Sequence, residues 1–306
     1  MSRAAIPALF LLLASAPAFA GPICEASWID ASRDNRAIPV RIRMPDGAGK
    51  APVVLFSHGL GGSLDSGTRW AEAWSRAGIA VINIQHPGSD RSIIGSGGFL
   101  AAMSPAQLAA RVGDVHFVID QLSRRKREGA CDLTRFDLTR IGMSGHSFGA
   151  HTTLAIAGQR YAGDFGKGFA DPRVKAAIAF SPAPPMRGSD GDAFGAIAIP
   201  VMSVTGTADT TPVLPQISAA DRQRPFRAMP AGGKYLLVLS GATHMDYNGQ
   251  DNVRWRAARS DPRIAELTIA ATTDFWRWTL LGDARARRDL DSLKARLGPE
   301  DLFAAR

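Results

Sequence analysis

The sequence predicts an α/β protein with a mostly parallel, doubly wound sheet and helices on both of its faces. Strand-like and helix-like patterns alternate along the chain, as in folds whose parallel strands are joined by crossover helices. A strand, a sharp turn and a helix follow one another around Ser147. The 306 residues can bury a full core, and no internal repeat or low-complexity linker divides them. We therefore expect a single domain over residues 21–306, without a large cap domain.

Apolar runs bounded by turn residues define the predicted strands. They are Ile38–Arg43, Pro52–Ser57, Ile79–Ile84, Arg140–Ser144, Val174–Phe180, Ile199–Val204 and Lys234–Leu239. The run Ser104-Pro105-Ala106-Gln107 predicts a capping box with proline at the first helical position, and Asp261-Pro262 predicts the start of a C-terminal helix. The connection 181–198 is too short to form a separate lid. The Gly- and Ser-rich stretch Pro87–Met103 follows a strand, so it either borders the pocket or is a plain surface loop.

The first residues have the three parts of a secretory signal peptide. Arg3 supplies the positive charge, Ala4–Leu13 the apolar segment, and Ala18-Phe19-Ala20 a small-residue cleavage site. The apolar segment is too short to span a bilayer, and no later stretch is long and apolar enough for a membrane helix. Cys24 comes too late for a lipoprotein signal. We therefore expect a signal peptide over residues 1–20 and a secreted or periplasmic protein after cleavage near Ala20.

One motif carries most of the chemical information. The residues Gly145-His146-Ser147-Phe148-Gly149 match the pattern G-x-S-x-G, in which a serine stands on a strained turn between a strand and a helix. A predicted buried strand, Arg140–Ser144, precedes the motif, and a predicted helix start, Ala150–Ala157, follows it. The flanking backbones of such a turn approach closely, and the two glycines of the motif allow this. The pattern predicts Ser147 as a nucleophile, and the alternative is an ordinary Gly-rich turn.

A serine nucleophile needs a base, which in turn needs an orienting carboxylate, in the chain order Ser, Asp or Glu, His. Of the six histidines, only His151 and His244 follow Ser147. His151 lies one helical turn beyond Ser147 and is expected to pack on that helix. His244 stands in a loop directly after the strong strand run Lys234–Leu239, where a base is expected. His244 is therefore the predicted base.

Asp209 is the predicted acid because it lies in the turn after the strand that ends at Val204. That position is at the carboxyl edge of the sheet, where ligand sites of α/β folds form. Several other aspartates lie in loops before any such strand, namely Asp164, Asp171, Asp190 and Asp192. Asp246 is two residues from His244 and is expected to cap or turn that loop. The alternative for Asp209 is a turn aspartate without a catalytic role.

Two backbone N–H groups are needed to form an oxyanion hole. Phe148, the residue after the predicted nucleophile, supplies one. The loop Ser57-His58-Gly59-Leu60-Gly61-Gly62 follows the strand Pro52–Ser57, and Leu60 is its predicted donor. His58 is expected to hold this loop through hydrogen bonds. A phosphate-binding loop is the weaker alternative, because neither glycine motif of nucleotide-binding proteins occurs here.

Four segments carry a resemblance to known proteins. They are Leu55–Gly61, Ile82–His86, Gly145–Gly149 and Gly241–His244. With them the chain resembles bacterial α/β-hydrolases of the dienelactone-hydrolase-like group and is similar to plasma-type platelet-activating-factor acetylhydrolases, over roughly residues 26–281. The resemblance implies an α/β-hydrolase fold with a triad of Ser147, Asp209 and His244, and an oxyanion hole formed by Leu60 and Phe148. True dienelactone hydrolases carry a cysteine in place of Ser147, so their substrate is not implied.

The expected activity is hydrolysis of carboxylic esters, with short acyl chains, through an acyl-enzyme and without a cofactor. The same triad serves polyester or lipid acyl hydrolases, amide or peptide hydrolases, and acyltransferases that use an alcohol in place of water. Polyester hydrolases typically carry an aromatic residue after the sixth strand, where this chain has Ser181-Pro182-Ala183. A non-catalytic binding protein on the same fold is a further alternative.

The net charge of the chain indicates which partners to expect. The formal net charge of +8 favours anionic surfaces. Its densest cluster, Arg124–Arg127, ends a predicted helix, where cations complement the helix dipole, and no nucleic-acid motif accompanies it. The expected partner is a small-molecule ester or lipid substrate, with no nucleic acid and no transmembrane segment, and the sequence leaves the oligomeric state undetermined.

The two cysteines, Cys24 and Cys131, predict one disulfide in an exported protein, with two buried free thiols as the alternative. No metal site is expected, because the cysteines are far apart in sequence and the histidines are scattered singly.

Overall fold

A mixed sheet forms the centre of the computed structural model, which describes residues 21–95, 98–250 and 261–306. The predicted signal peptide over residues 1–20 lies outside these ranges. The sheet contains β1 (Ile23–Asp30), β2 (Arg36–Arg43), β3 (Ala51–Ser57), β4 (Ala80–Ile84), β7 (Phe136–His146), β8 (Val174–Phe180), β9 (Val201–Ala208), β10 (Lys234–Thr243) and β11 (Leu302–Ala305). A separate hairpin consists of β5 (Arg127–Glu128) and β6 (Cys131–Asp132).

The described part of the sheet has nine strands in the order β1-β2-β4-β3-β7-β8-β9-β10-β11. Its six central strands, from β4 to β10 in this order, run parallel. The pairs β1–β2, β2–β4 and β10–β11 are antiparallel. Parallel strands place all their carboxyl ends at one edge of the sheet, and the segments that follow β3, β4, β7, β8, β9 and β10 therefore meet there.

Helices cover both faces of the sheet. They are α1 (Thr68–Arg76), α2 (Phe99–Ala102), α3 (Pro105–Arg124), α4 (Phe148–Ala157), α5 (Asp190–Phe194), α6 (Arg224–Ala228), α7 (Pro262–Leu281) and α8 (Ala284–Asp291). On one face α1 packs against α7, where the ring centroids of Trp74 and Trp276 are 5.8 Å apart. The opposite face carries α3 and α4. Within the described residues, no helix combines the length and the apolar character needed to cross a membrane.

All of the predicted strands form, with small changes in their bounds. Every residue of β3 and β4 is buried, because helices cover both faces of these central strands. Strand β9 begins at Val201 rather than Ile199, since Pro200 has no N–H to donate to a neighbouring strand. Strand β7 begins at Phe136, before the predicted start at Arg140.

The sequence analysis does not predict the two edge strands. β1 alternates in burial, but its inward positions include Cys24 and Asp30 beside Trp28, so the apolar periodicity is incomplete. β11 has only four residues and is too short to stand out as a pattern. Both strands are antiparallel to their single neighbours and lie outside the parallel centre of the sheet.

The predicted capping box at α3 is only half present. Ser104 caps the helix as expected, because its side chain accepts a hydrogen bond from the Gln107 N–H, and Pro105 is the first helical residue. The Gln107 side chain does not return this bond. Its Nε2 instead donates to the Pro87 carbonyl oxygen at 3.0 Å and to Ser89 Oγ at 3.2 Å. The glutamine thus ties α3 to the loop after β4. At the C-terminal helix, Asp261 caps α7 as predicted.

A disulfide joins Cys24 on β1 to Cys131 on β6, with 6.2 Å between the two Cα atoms. The bonded residues are 107 positions apart in the sequence. In the chain-entropy model a closed loop of this length contributes about 4–5 kcal/mol to stability. The bond therefore fastens the edge strand β1 to the hairpin that precedes β7.

Candidate active site

Ser147 stands at the junction of β7 and α4 in a strained backbone conformation. Its φ is +56° and its ψ is −114°, values that L-residues rarely adopt. The two glycines of the motif are sterically required. A Cβ at Gly149 would overlap the carbonyl oxygen of Ser57, and a Cβ at Gly145 would lie 2.7 Å from the same oxygen. The motif therefore forms a sharp turn that presents a half-buried Ser147 at the carboxyl edge of the sheet.

Three side chains from three strand ends form a hydrogen-bonded chain at this edge. Ser147 Oγ is 2.9 Å from His244 Nε2, and His244 Nδ1 is 2.7 Å from Asp209 Oδ1. These residues directly follow β7, β10 and β9, respectively. The Nδ1–H of His244 donates to the carboxylate, so Nε2 is left to accept the hydroxyl proton of Ser147. The structure thus brings together the three residues that the sequence analysis selects.

Asp209 is fully buried, and it is held by two groups besides His244. Thr205 Oγ1 donates to its Oδ2 at 2.7 Å, and Arg222 Nε lies 2.7 Å from its Oδ1. Burial alone would raise the pKa of Asp209, but the hydrogen bond from His244 and the charge of Arg222 outweigh this effect and lower the pKa. The carboxylate therefore stays ionised. Nothing in the sequence marks Arg222, because its role depends on how the connection between β9 and β10 folds over Asp209.

Two further histidines hold the backbone of the site. His146 Nε2 donates to the carbonyl oxygen of His244 across 2.8 Å, which fixes the loop of the predicted base. His58 Nδ1 donates to the Gly59 oxygen at 2.6 Å, and its Nε2 accepts the N–H of His86 at 2.9 Å. The structural role predicted for His58 agrees with these contacts. The role of His146 was not predicted, although the residue lies inside the motif.

The two predicted oxyanion donors come from the segments that follow β3 and β7. Phe148 is the first residue of α4, where N–H groups have no acceptor within the helix. In the glycine loop, Gly61 donates to the Ser89 oxygen at 2.9 Å and Gly62 to the Gly59 oxygen at 3.1 Å. Within the described part of the chain, the Leu60 N–H has no acceptor. The two free N–H groups are therefore available to a ligand.

The structure also places the other residues and segments that the sequence analysis considered. Asp246 caps the turn after β10, since its Oδ2 accepts from the N–H of Thr243 at 2.8 Å and from its hydroxyl at 2.7 Å. The stretch Pro87–Met103 packs on the glycine loop through Ser89 and Asp90, so its first residues border the site. The described residues contain no cluster of three His, Cys, Asp or Glu side chains that could hold a metal ion.

Four histidines near this site are held in the neutral form. Burial lowers the pKa of His58 and His146 well below the ordinary value, and it lowers the pKa of His86 and of His151 to about 4. In the unfolded chain a histidine titrates at about pH 6.5. Between these two values the unfolded chain binds more protons than the native protein, so protonation favours unfolding as the pH falls.

We therefore expect the free energy of unfolding to decrease between pH 6.5 and pH 5, with a slope that approaches about 1.4 kcal/mol per pH unit for each of these histidines near pH 5. Urea denaturation at half-unit steps would measure this slope. His86→Asn should reduce it by the contribution of one proton, because the substituted residue cannot titrate. In the unfolded chain the carboxylates titrate at about pH 4, below this window. Stability that is constant or increases as the pH falls would contradict the expectation.

Comparison with known proteins agrees with the fold. A ferulic acid esterase from Streptomyces cinnamoneus has a similar structure, with a TM-score of 0.62 and 20% sequence identity, over 88% of this chain and 93% of the esterase. A 2,6-dihydroxy-pseudo-oxynicotine hydrolase gives a TM-score of 0.58 at 16% identity, over 86% of this chain and 69% of the hydrolase. No protein-family model and no curated protein sequence matches the chain. Together with the sheet order, these similarities establish an α/β-hydrolase fold.

Proposed function

We propose that this chain is an exported serine hydrolase that cleaves carboxylic esters with short acyl chains. The observation that carries the proposal is the chain of contacts from Ser147 through His244 to Asp209, beside two free N–H groups. A protein that only binds a ligand has no need of a strained serine, a base and a buried carboxylate in this order. Export is the part that depends on the signal peptide predicted for residues 1–20.

The first half of the reaction acylates the serine. His244 Nε2 takes the hydroxyl proton of Ser147 while Oγ attacks the ester carbonyl carbon. The carbonyl oxygen becomes an oxyanion, which the Leu60 and Phe148 N–H groups stabilise. Asp209 stabilises the imidazolium and keeps it oriented. When the tetrahedral intermediate collapses, the imidazolium returns its proton to the leaving alcohol, and the acyl group stays on Ser147.

The second half releases the acid. A water molecule gives a proton to His244 Nε2 and attacks the acyl carbon, which again forms an oxyanion at the same two N–H groups. Collapse of this intermediate breaks the bond to Oγ, and the proton on His244 restores the hydroxyl of Ser147. The products are one carboxylic acid and one alcohol for each ester and water consumed.

The substrate class follows from the surroundings of the site. The segments after β8 and β9 contain only the short α-helices α5 and α6, each of five residues. Helices of this length do not form a cap domain, which supports a site that is open to solvent. The segments after β4, β8 and β9 expose large apolar side chains, namely Ile94, Phe99, Met186 and Val213. An open site with an apolar rim suits small esters with an apolar part. Short acyl chains are also what the resemblance to platelet-activating-factor acetylhydrolases implies, and the similar esterase acts on ferulic acid esters by its name.

A panel of p-nitrophenyl esters from acetate to palmitate tests the proposal, together with methyl ferulate and an acetylated phospholipid. We expect the highest kcat/KM with acetate or butyrate. The rate with butyrate should rise smoothly through its solubility limit, because a site without a lid needs no interface to open. Stoichiometric labelling of Ser147 by a fluorophosphonate should accompany the activity.

Several outcomes would contradict parts of this proposal. A rate that jumps only above the solubility limit, or a preference for long-chain triglycerides, would show that a segment covers the site. Transfer of the acyl group to added alcohol in preference to water would make the protein an acyltransferase, and product analysis separates the two. Absence of both hydrolysis and fluorophosphonate labelling would favour a binding protein on this fold.

A further inference from the structure

Arg111 on α3 is a completely buried arginine next to the candidate active site. Burial of a guanidinium costs several kcal/mol unless its N–H groups are satisfied. Here they donate to Thr152 Oγ1 at 2.9 Å, Ser89 Oγ at 2.8 Å, Ser57 Oγ at 2.9 Å and the His58 carbonyl oxygen. These acceptors belong to three separate segments, namely the end of β3 with the loop after it, the loop after β4, and α4. One side chain therefore connects all three.

Arg111 fixes the backbone on both sides of Leu60. Its Nη2 binds the carbonyl oxygen of His58, two residues before Leu60. Its Nη1 binds the side chain of Ser89, whose carbonyl oxygen accepts the N–H of Gly61, one residue after Leu60. The Leu60 N–H between these anchors has no acceptor within the described residues. Its direction is thus set from both flanks.

The same guanidinium also contacts the segment of the second donor. Its Nε donates a hydrogen bond to Thr152 Oγ1. The Thr152 hydroxyl in turn donates a hydrogen bond to the Phe148 carbonyl oxygen at 3.2 Å. The guanidinium carbon lies 4.7 Å from the centre of the Phe148 ring, a cation–π distance. The first turn of α4 is therefore held against Arg111 by both a hydrogen-bonded bridge and a ring contact.

A second hydrogen-bonded chain of a serine, a histidine and an aspartate holds one of the acceptors of Arg111. Ser57 Oγ is 2.8 Å from His86 Nε2, and His86 Nδ1 is 3.0 Å from Asp114 Oδ2. The Asp114 carboxylate can only accept, so the single ring hydrogen of neutral His86 is on Nδ1, and Nε2 accepts the hydroxyl hydrogen of Ser57. All three residues are fully buried, so this serine cannot meet a substrate. The chain instead holds the Ser57 hydroxyl as an acceptor for Arg111.

We infer that Arg111 is a positioning residue for the oxyanion hole, and that it sets the directions of both the Leu60 and the Phe148 N–H groups. The inference rests on the ester-hydrolase function proposed above. Arg111 does not touch the substrate, but it places a fixed positive charge behind the two donors. Such preorganised groups act mainly on the transition state, where the oxygen carries negative charge. Loss of Arg111 should therefore lower kcat much more than it changes KM.

The test compares Arg111→Met and Arg111→Lys with the wild-type protein. The measurements are kcat and KM for p-nitrophenyl butyrate and Ki for an alkyl trifluoromethyl ketone, which adds to Ser147 and forms an oxyanion. We expect Arg111→Met to lower kcat by about 10²-fold, the usual loss for an oxyanion-hole donor, and to raise Ki by the same factor. KM should be unchanged. Arg111→Lys should recover only part of the loss, because an ammonium group cannot bridge three segments.

Arg43→Met is the matched control, because Arg43 is also a buried arginine but lies at the opposite edge of the sheet, paired in register with Val81 near the start of β4. It should lose stability and keep kcat and Ki. If Arg111→Met does not fold, Thr152→Val and Ser89→Ala provide the test. Each removes one acceptor of Arg111, together with the other hydrogen bonds of that hydroxyl, and should lower kcat by about fivefold. Wild-type kcat and Ki in folded Arg111→Met, or in both smaller variants, would overturn the inference. An inactive wild-type protein would instead refute the proposed function.

Discussion

Replacement of Ser147 by alanine should abolish ester hydrolysis, with a loss in kcat of about 10⁵–10⁶-fold if only the oxyanion hole and substrate binding remain. The reason is that Ser147 Oγ forms the acyl-enzyme in the proposed mechanism, and no other hydroxyl lies within reach of His244 Nε2 among the described contacts. Stability should change little, because the half-buried hydroxyl has only this one side-chain partner. Steady-state kinetics and thermal unfolding of the same preparation would measure both effects.

A serine in β7, the strand that precedes Ser147, provides the control for this variant. Ser144 is fully buried in β7, and its Oγ has no hydrogen-bond partner within the described residues. Ser144→Ala should therefore fold and retain its activity. Substantial activity in clean Ser147→Ala protein would remove Ser147 as the nucleophile, and with it the mechanism proposed here.

Asp209→Asn should lower kcat by about 10⁴-fold, since the amide can stabilise neither the required tautomer of His244 nor the imidazolium. The same change leaves the buried Arg222 without its counter-charge. Removal of one partner of a buried ion pair usually costs about 3–5 kcal/mol, so a lower unfolding temperature should accompany the kinetic loss. Turnover must therefore be measured well below that temperature.

Asp246→Asn tests whether Asp246, rather than Asp209, is the carboxylate that orients His244. Asp246 caps the turn at Thr243 and has no contact with the ring nitrogens of His244, so this variant should lose about 1 kcal/mol of stability and keep most of its turnover. If Asp246→Asn were inactive and Asp209→Asn nearly normal, the orienting carboxylate would have to be reassigned to Asp246.

The sequence was sufficient to predict the parallel centre of the fold. The central strands are buried on both faces and appear as nearly continuous apolar runs, such as the one over Pro52–Ser57. The closeness of Ser147 and His244 was predictable because each comes shortly after such a run, and the parallel arrangement brings the ends of the runs to one edge. Asp209 follows its strand in the same way. The contacts among these three side chains are thus largely a consequence of strand order.

The supporting groups were not predictable, for a physical reason. A charged side chain is normally exposed, so sequence patterns give no sign that Arg111 and Arg222 are buried. Their partners come from other parts of the chain, for example the Thr152 hydroxyl and the Asp209 carboxylate. Such contacts depend on how helices and loops pack over the sheet. Only the assembled structure reveals which arginines have lost contact with solvent.

The disulfide between Cys24 and Cys131 divides the covalent chain into a ring and an open remainder. The ring contains the glycine loop around Leu60 and the positioning residue Arg111. Ser147, Asp209 and His244 all lie in the remainder. Because the chain has only two cysteines, a single molecule can form only one connectivity. Formation of this disulfide therefore requires an oxidant but no isomerase to exchange wrong pairings within the chain.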